Sequence, residues 1–538
     1  MQRCIFFLPR FSSKDMIHAL NFPKSLLWGL VLLCLPTLLP AQGFIRSIAM
    51  NPFKADIQPI PATGGYLLAS RIYDGTMPTM VYMELDSFCR TQATYGLATA
   101  EELEVAKLVP LITGNFVAIG TGADSLGSHA MTYLVDAQGN PSNLLLASYD
   151  YAANWVDAVA LPDGGFASTG AYGTISNGIC TIVARFDNLG DTMWTRRLSF
   201  PIELLKATAI DLLPGGDLMV CGYHDDGQSN LPDLALLRFT PSGDLVWAKR
   251  YNTDFNMYPF DITLSGTKVY VATTMVDRVN FNYNMGVATF DTAGTPIWAT
   301  ELGGYAGAGA SRVILDAVGN PLLLGYHDLP LGFNATMASL SNTGTLQWAR
   351  SYDLHGESKP LTALPLSSDR YLLLVEESTS SEPIHLIQTG PDGRVNGPCN
   401  SLTPNFTANP VTMTPVPLSP AIGSGMSLNT VLIQVSQPSI DNLLNCEPVG
   451  IAPGKALLPA QIVPHPMRNS ARLVLPLDFV TEGATLQVTD LAGRTVNLTA
   501  ERDADGFTLH RNGLAAGIYG YQVLQGGRLV ASGKLVLE

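Results

Sequence analysis

The run Gly243-Asp244-Leu245-Val246-Trp247-Ala248-Lys249-Arg250-Tyr251 recurs three more times, as GDTMWTRRL from Gly190, GTPIWATEL from Gly294 and GTLQWARSY from Gly344. The tryptophans Trp194, Trp247, Trp298 and Trp348 stand 53, 51 and 50 residues apart, which sets a repeat of about fifty residues. Weaker copies begin at Gly139 and Gly393, and the stretch around Cys89 fits one register earlier, making seven turns of the period. Most of these glycines follow an apolar run ending in Asp, as in ARFDNLG and ATFDTAG, so each copy reads as strand, tight turn, strand. A second hairpin signal precedes it, as in LPDGGFASTG near Gly165 and LPGGDLMVCG near Gly216. Four short strands at this period predict an all-β chain: a β-propeller of about seven four-stranded blades. One small sheet cannot bury both faces alone, so neighbouring blades must supply the core. Residues 401–446, rich in Pro, are expected to give a closing strand to the first or last blade.

Composition agrees with a folded, turn-rich chain. Of 538 residues, 46% are hydrophobic and 14% charged, with 50 Gly and 36 Pro. A net charge of −14 leaves no basic footprint for nucleic acid.

The N-terminus reads as an export signal covering residues 1–41. Lys24 precedes an apolar run at 26–39 (LLWGLVLLCLPTLL), followed by Pro40-Ala41-Gln42, with cleavage expected between Ala41 and Gln42. Met1 and Met16 are both candidate starts, and no later run is long enough to span a membrane. The mature chain then keeps Cys89, Cys180, Cys221, Cys399 and Cys446, an odd number. Cys399 and Cys446 flank a Pro- and Ser-rich stretch and are the expected disulfide, whereas Cys180 and Cys221 sit in strand-like apolar runs and read as buried thiols.

The tetrad GYHD occurs at 222–225 and again at 325–328. The copies lie 103 residues apart, two periods, and so occupy one structural position in two blades. His224, Asp225, His327 and Asp328 are either turn chemistry echoed by the repeat or candidate ligands converging at one mouth. The repeated Trp reads as packing between blades, its N–H bonded locally. The Gly-x3-Trp spacing is similar to the docking motif of quinoprotein propellers, but Asp stands only three residues before Gly; strict sialidase Asp boxes are excluded as well. Nucleophile elbows, zinc-binding helices, phosphate loops and complete EF-hand loops are absent from the sequence. No cofactor is expected. The primary expectation is a binding scaffold for a protein or glycan partner, with the loop DRVNFNYN at 277–284 in an exposed surface; the second is a propeller enzyme acting on polysaccharide or as a quinoprotein-like dehydrogenase.

The period breaks after Cys446. Residues 42–446 form the expected propeller, 447–457 a Pro- and Gly-containing linker, and 458–538 a small antiparallel β-sandwich built from alternating strands such as ATLQVTDLAGRTV. Four motifs stand in order there: Pro464-His465-Pro466, then Val488 to Val496 with Asp490, Gly493 and Arg494, then Leu514 to Tyr519 with Gly517, and finally Gly533-Lys534-Leu535-Val536-Leu537. This tail resembles the type A sorting domain of type IX secretion, with His465 where that family usually carries Asn. The resemblance implies export through the outer membrane of a Gram-negative bacterium. The implied partners are the type IX translocon and a sortase-like peptidase, and the implied destination is release or anchoring at the outer surface. It assigns Pro464, Pro466, Asp490, Gly493, Arg494, Gly517, Tyr519 and Lys534 to sorting and none of them to catalysis.

Overall fold

The Asp-to-Gly spacing is a hairpin device. In the computed structural model, Asp187 Oδ1 accepts the N–H groups of Leu189 (2.8 Å) and Asp191 (2.9 Å), and Asp291 Oδ1 does the same for Ala293 (2.9 Å) and Thr295 (2.7 Å). The chain reverses through Gly190 and Gly294 at positive φ (89° and 74°), a conformation that glycine adopts without strain. Cys89, at φ 57°, holds that place in the first copy, where Asp86 supplies the same bonds.

The structure describes residues 44–446 and 460–538 except for short segments within them, the longest being 49–53, 396–400 and 476–482. The signal segment, Ala41, Gln42, the linker, Cys399, Gly493 and Arg494 lie outside the described residues, as does the Cys446 side chain. The chain divides into two compact units, one over Gln42–Val449 and the other including Gly450–Glu538. Among the described residues every regular element is a strand, and no helix is long and apolar enough to cross a membrane.

The larger unit carries seven antiparallel groups of four strands, here called sheets 1 to 7. Their innermost strands are Ala55–Ile60, Glu102–Pro110, Ala152–Ala160, Leu204–Leu212, Phe255–Ser265, Ala308–Leu315 and Glu357–Leu366. Sheets 2 and 3 are joined by one pairing, Ala152 with Ser128. Sheet 7 takes its fourth strand, Phe44–Ile48, from the other end of the unit, paired with Ile384–Thr389. Second strands such as Leu218–Asp225 and Arg370–Ser378 are nearly continuous apolar runs because both faces are covered. Leu372 and Leu374 pack with Ile57 and Leu68 of sheet 1, while Leu373 and Val375 pack with Leu322 and Met337 of sheet 6. Equivalent shared cores join sheets 1 and 2, 2 and 3, 3 and 4, 4 and 5, and 5 and 6, so the succession returns to its start.

Residues 401–446 depart from expectation. The strand that completes the last four-stranded sheet is Phe44–Ile48, and 401–446 instead lays a fifth strand on all seven sheets in reverse order. Ser401–Leu402 pairs on sheet 6, Thr407–Pro410 on sheet 5, Thr414–Pro417 on sheet 4 and Ala421–Gly423 on sheet 3. Ser427–Val431, Gln434–Ser436 and Asn442–Cys446 then pair on sheets 2, 1 and 7. Between these pairings, Phe406, Met413, Leu418 and Met426 plug the cores shared by consecutive sheets. The prolines suit this position, since the outer side of an edge strand needs no N–H donors and is safer without them.

The repeated tryptophans bridge neighbouring sheets. A Cβ on Gly243 would stand 2.8 Å from Trp194, on Gly294 2.6 Å from Trp247, on Gly344 2.7 Å from Trp298 and on Gly393 2.6 Å from Trp348. Packing between neighbouring sheets is therefore the role of these rings, but the N–H groups of Trp194 and Trp298 do not bond locally. Trp194 Nε1 donates to Pro241 O and Trp298 Nε1 to Asn342 O, each at 3.0 Å, in the next sheet's hairpin, because the ring lies across that turn.

The smaller unit has two sheets, one of Gln461–Val463, Ser470–Val474, Gly506–His510 and Thr499–Asp503, the other of Ala484–Thr489, Gly517–Gln525 and Arg528–Leu537. Met467, Leu473, Leu509, Val523 and Leu535 form its core.

Candidate functional site

Both GYHD copies end the second strand of their sheet, His224 paired with Asp233 and His327 with Asn334. The imidazoles, however, belong to separate networks. His224 Nε2 lies 2.7 Å from Glu203 Oε2, with the Phe200 ring edge-on at 5.3 Å. His327 Nδ1 lies 2.8 Å from Thr336 Oγ1, and its ring clusters with those of Tyr305 (4.3 Å) and Phe406 (5.6 Å). Burial pushes the His327 imidazole down to about 4, against the opposing pull of Asp328, so the ring is neutral. Asp225 Oδ1 caps the turn by accepting Gly227 N–H at 2.9 Å, and the Asp328 N–H donates to Gly307 O at 2.6 Å. Among the described residues no group of three or more His, Cys, Asp or Glu is arranged to hold a metal ion.

At the same strand position sheet 7 carries Glu377, whose carboxylate meets His385 Nε2 at 2.5 Å while His385 Nδ1 meets Ser47 Oγ at 2.8 Å. Acid, base and hydroxyl resemble a nucleophilic triad by type, but the residues are only 7%, 3% and 8% exposed inside paired strands, closed to a substrate. The sequence gives no local sign of this trio, because Ser47 and His385 are 338 residues apart.

What the motif does present is tyrosine. The Tyr223 ring lies 6.0 Å from Tyr258, and Tyr326 lies 5.0 Å from Phe333 with Lys359 Nζ over both rings at 5.0 and 5.3 Å. Burial raises the Tyr258 and Tyr326 phenols, and the nearby Tyr283 phenol raises both further; Tyr283 of sheet 5 also forms a bridge with Gly307, just before the first strand of sheet 6. The adjoining loop, 278–282, has a polar root: Asp277 Oδ1 accepts the N–H groups of Val279 and Asn280, and Arg278 reaches Asp233 and Asn256, each at 3.0 Å. Its tip is apolar and open, with Val279 81%, Phe281 66% and Tyr283 49% exposed. The sequence-predicted surface at 277–284 is there, although Asn284 itself is buried.

Two tiers of equivalent positions follow from the strand registers of the innermost strands. The deeper holds Asp56, Lys107, Asp157, Ala209, Asp261, Arg312 and Thr362. Its three carboxylates are buried and its two cations half-buried, each cation beside a carboxylate: Lys107 Nζ is 2.8 Å from Asp157 and Arg312 3.8 Å from Asp261. Asp56, Asp157 and Asp261 each also accept a backbone N–H from another sheet, at Leu108 (2.7 Å), Ile210 (2.8 Å) and Val313 (3.0 Å). Burial raises the carboxyls of Asp56 and Asp261, and it lifts neighbouring Asp211 to about 7. Burial alone would lower Lys107, but Asp157 and Asp261 hold it above its ordinary value.

The outer tier, one step toward the GYHD ends, holds Lys54, Glu104, Asn154, Lys206, Tyr258, Gly309 and Lys359. Lys54 and Glu104 pair at 2.9 Å. Beside Asn154 and Lys206 opens a cavity of about 310 Å³, also lined by Thr121, Ser128 and Tyr172.

In the smaller unit the structure brings together three of the four tail motifs. His465, between Pro464 and Pro466, accepts the Val536 N–H on Nε2 at 3.1 Å. Gly517 and Tyr519 pair with Leu537 and Leu535, Lys534 pairs with Gly520, and Tyr519 OH donates to Ala515 O at 2.9 Å. Asp490 follows the strand Ala484–Thr489, which pairs with Gly517–Gln525. Cys89, Cys180 and Cys221 are buried and joined in no disulfide.

No family model matches the chain, and no curated protein sequence matches it. Among solved structures it is similar to PorZ, an essential bacterial surface component of the type-IX secretion system of human oral-microbiomic Porphyromonas gingivalis, at 12% identity over 89% of this chain and 73% of that one, with a TM-score of 0.31. It is also similar to Sqt1 of Chaetomium thermophilum (10% identity, 63% and 95% coverage, TM-score 0.36) and to hydrazine synthase of Kuenenia stuttgartiensis (10%, 57% and 95%, 0.34).

Proposed function

We propose that this chain is an exported binding protein whose larger unit, a seven-bladed β-propeller, holds a glycan at the GYHD end, and whose tail at 458–538 is a type A sorting domain. The propeller reading is supported by seven four-stranded sheets whose shared cores return from sheet 7 to sheet 1. The sorting reading is supported by four motifs in family order and by the contact of His465 with Val536 in the last strand. On this reading residues 1–41 are a cleaved signal, 447–457 a linker, and the protein ends secreted or on the outer surface of a Gram-negative bacterium, after contact with the translocon and a sortase-like peptidase.

The observation that carries the binding function is the Tyr223–Tyr258 ring pair, with Tyr283 near Tyr258 and Phe281 exposed in the rooted loop that precedes Tyr283. Tyrosine offers a flat apolar face beside a hydroxyl, the pair of features a sugar ring offers in return. The rigid root of loop 278–282 limits the ordering cost of binding. The test is full-chain binding to an immobilised oligosaccharide panel, with Tyr283→Ala and Phe281→Ala alongside. Selective binding lost in both variants at unchanged melting temperature is expected. A silent panel, or variants that bind like the parent, would sink the reading.

A further inference from the structure

We infer that the 310 Å³ cavity is a subsite for a carboxylate-bearing sugar, a uronic acid residue within an acidic oligosaccharide. This rests on the glycan-binding reading above and narrows its ligand class. The lining is rich in uncommitted donors. Lys206 is half-buried at the cavity wall, and among the described residues no carboxylate or carbonyl takes its ammonium. The Oδ1 of Asn154 is occupied by the Ala171 N–H at 3.3 Å, which leaves its amide N–H groups for a ligand. Thr121 and Ser128 add hydroxyls, and none of the described lining residues is acidic.

Nearby acids are already engaged. Glu104 pairs with Lys54 at 2.9 Å, Asp157 with Lys107 at 2.8 Å and Glu203 with His224 at 2.7 Å. A half-buried ammonium with no internal partner favours an anion, and a carboxylate that also meets the Asn154 amide gains charge-assisted hydrogen bonds. The volume falls at the small end of ligand pockets, suited to one sugar residue rather than a folded partner. The aromatic pair is the cavity's neighbour in register: Lys206 on the cavity wall pairs with Tyr223, whose ring lies 6.0 Å from Tyr258. An oligosaccharide therefore places one acidic residue in the cavity and its neighbours along the tyrosines. Attraction is local, because the chain as a whole carries −14.

The test is calorimetric titration of the full chain with tetragalacturonate and with its carboxyl-reduced neutral counterpart, at low and high salt. The acidic tetramer should bind at least about tenfold tighter than the neutral one, the margin of one charge-assisted hydrogen bond, and salt should narrow the gap. Lys206→Met, which keeps the aliphatic stem, should abolish that preference while the neutral affinity and melting temperature stay unchanged. Asn154→Ala should reduce the preference in part. Equal affinity for the two tetramers, or an undiminished preference in Lys206→Met, would overturn the inference and leave glycan binding standing. Binding of oligoglutamate but of neither tetramer would overturn both.

Discussion

Ser47 Oγ lies 2.8 Å from His385 Nδ1, and this bond ties the first described strand of the larger unit to a strand 338 residues later. The same imidazole meets Glu377 on its other nitrogen, so both ring nitrogens are satisfied inside the sheet. Sheet 6 places His327, Thr336 and Ser351 at the equivalent three positions, with Ser351 Oγ at 3.5 Å from His327 Nδ1. A polar trio recurring in two neighbouring sheets is a structural device, and in sheet 7 it bolts the closure. Ser47→Ala leaves a buried ring nitrogen without its partner and should cost about 1–3 kcal/mol. Ser351→Ala, whose contact is long, should cost less than about 1 kcal/mol. Urea unfolding of both variants checks the order, and the reverse order would refute the closure role.

The belt at 401–446 works through its plugs. Phe406 packs in the core shared by sheets 5 and 6, and Met413 in that of sheets 4 and 5. Both are slightly exposed, so Phe406→Ala and Met413→Ala should each cost about 2 kcal/mol, below the enclosed range for Phe and at its low end for Met. Hydrogen exchange should localise the loss to the strands Pro296–Gly303 and Leu245–Asn252, on which Thr407–Pro410 and Thr414–Pro417 lie. Protection lost evenly over all seven sheets would show that the belt acts as one cooperative piece instead.

The repeat glycine is fixed by two independent constraints, and Gly294 displays both. Its φ of 74° disfavours an L side chain, and an added Cβ would meet Trp247 at 2.6 Å and the Tyr251 hydroxyl at 2.9 Å. Tyr251 cannot yield freely, since its hydroxyl donates to Gly294 O at 2.8 Å. Gly294→Ala should therefore cost about 2–4 kcal/mol, the sum of backbone strain and overpacking. Gly266→Ala, at φ 60° with open space around it, isolates the backbone share and should cost about 1 kcal/mol.

The strands, their period and the GYHD equivalence were legible because each rests on local pattern. Gly294 and Trp298 lie within one hairpin, and their spacing repeats. The belt was hidden for the opposite reason: its pairings last two to five residues, recur about every seven rather than fifty, and include Pro410, Pro415 and Pro417. The site was half legible. His224 and His327 are marked by repetition, yet strand alternation buries them, while Tyr223 and Tyr326, one residue earlier, are half-buried against Tyr258 and Phe333. Lys206 and Asn154 carry no motif, and only the alignment of innermost strands brings them to one cavity.

Two shifted groups should give opposing pH slopes. Burial lowers His327 from 6.5 to about 4, so between these values the unfolded chain binds a proton that the folded one does not, and stability rises with pH. Burial raises Asp211 from 3.8 to about 7, so over the same window the folded chain holds the extra proton, and stability falls with pH. The two slopes largely cancel between about pH 4 and 6.5, each having a ceiling of about 1.4 kcal/mol per pH unit. Single variants should unmask them. Relative to the parent, Asp211→Asn should gain stability progressively as pH rises through the window, and His327→Gln should lose it. Urea midpoints at several pH values decide the matter: parallel curves for parent and Asp211→Asn would mean that Asp211 is ionised in the fold, its charge held by the Leu212 N–H and Lys107.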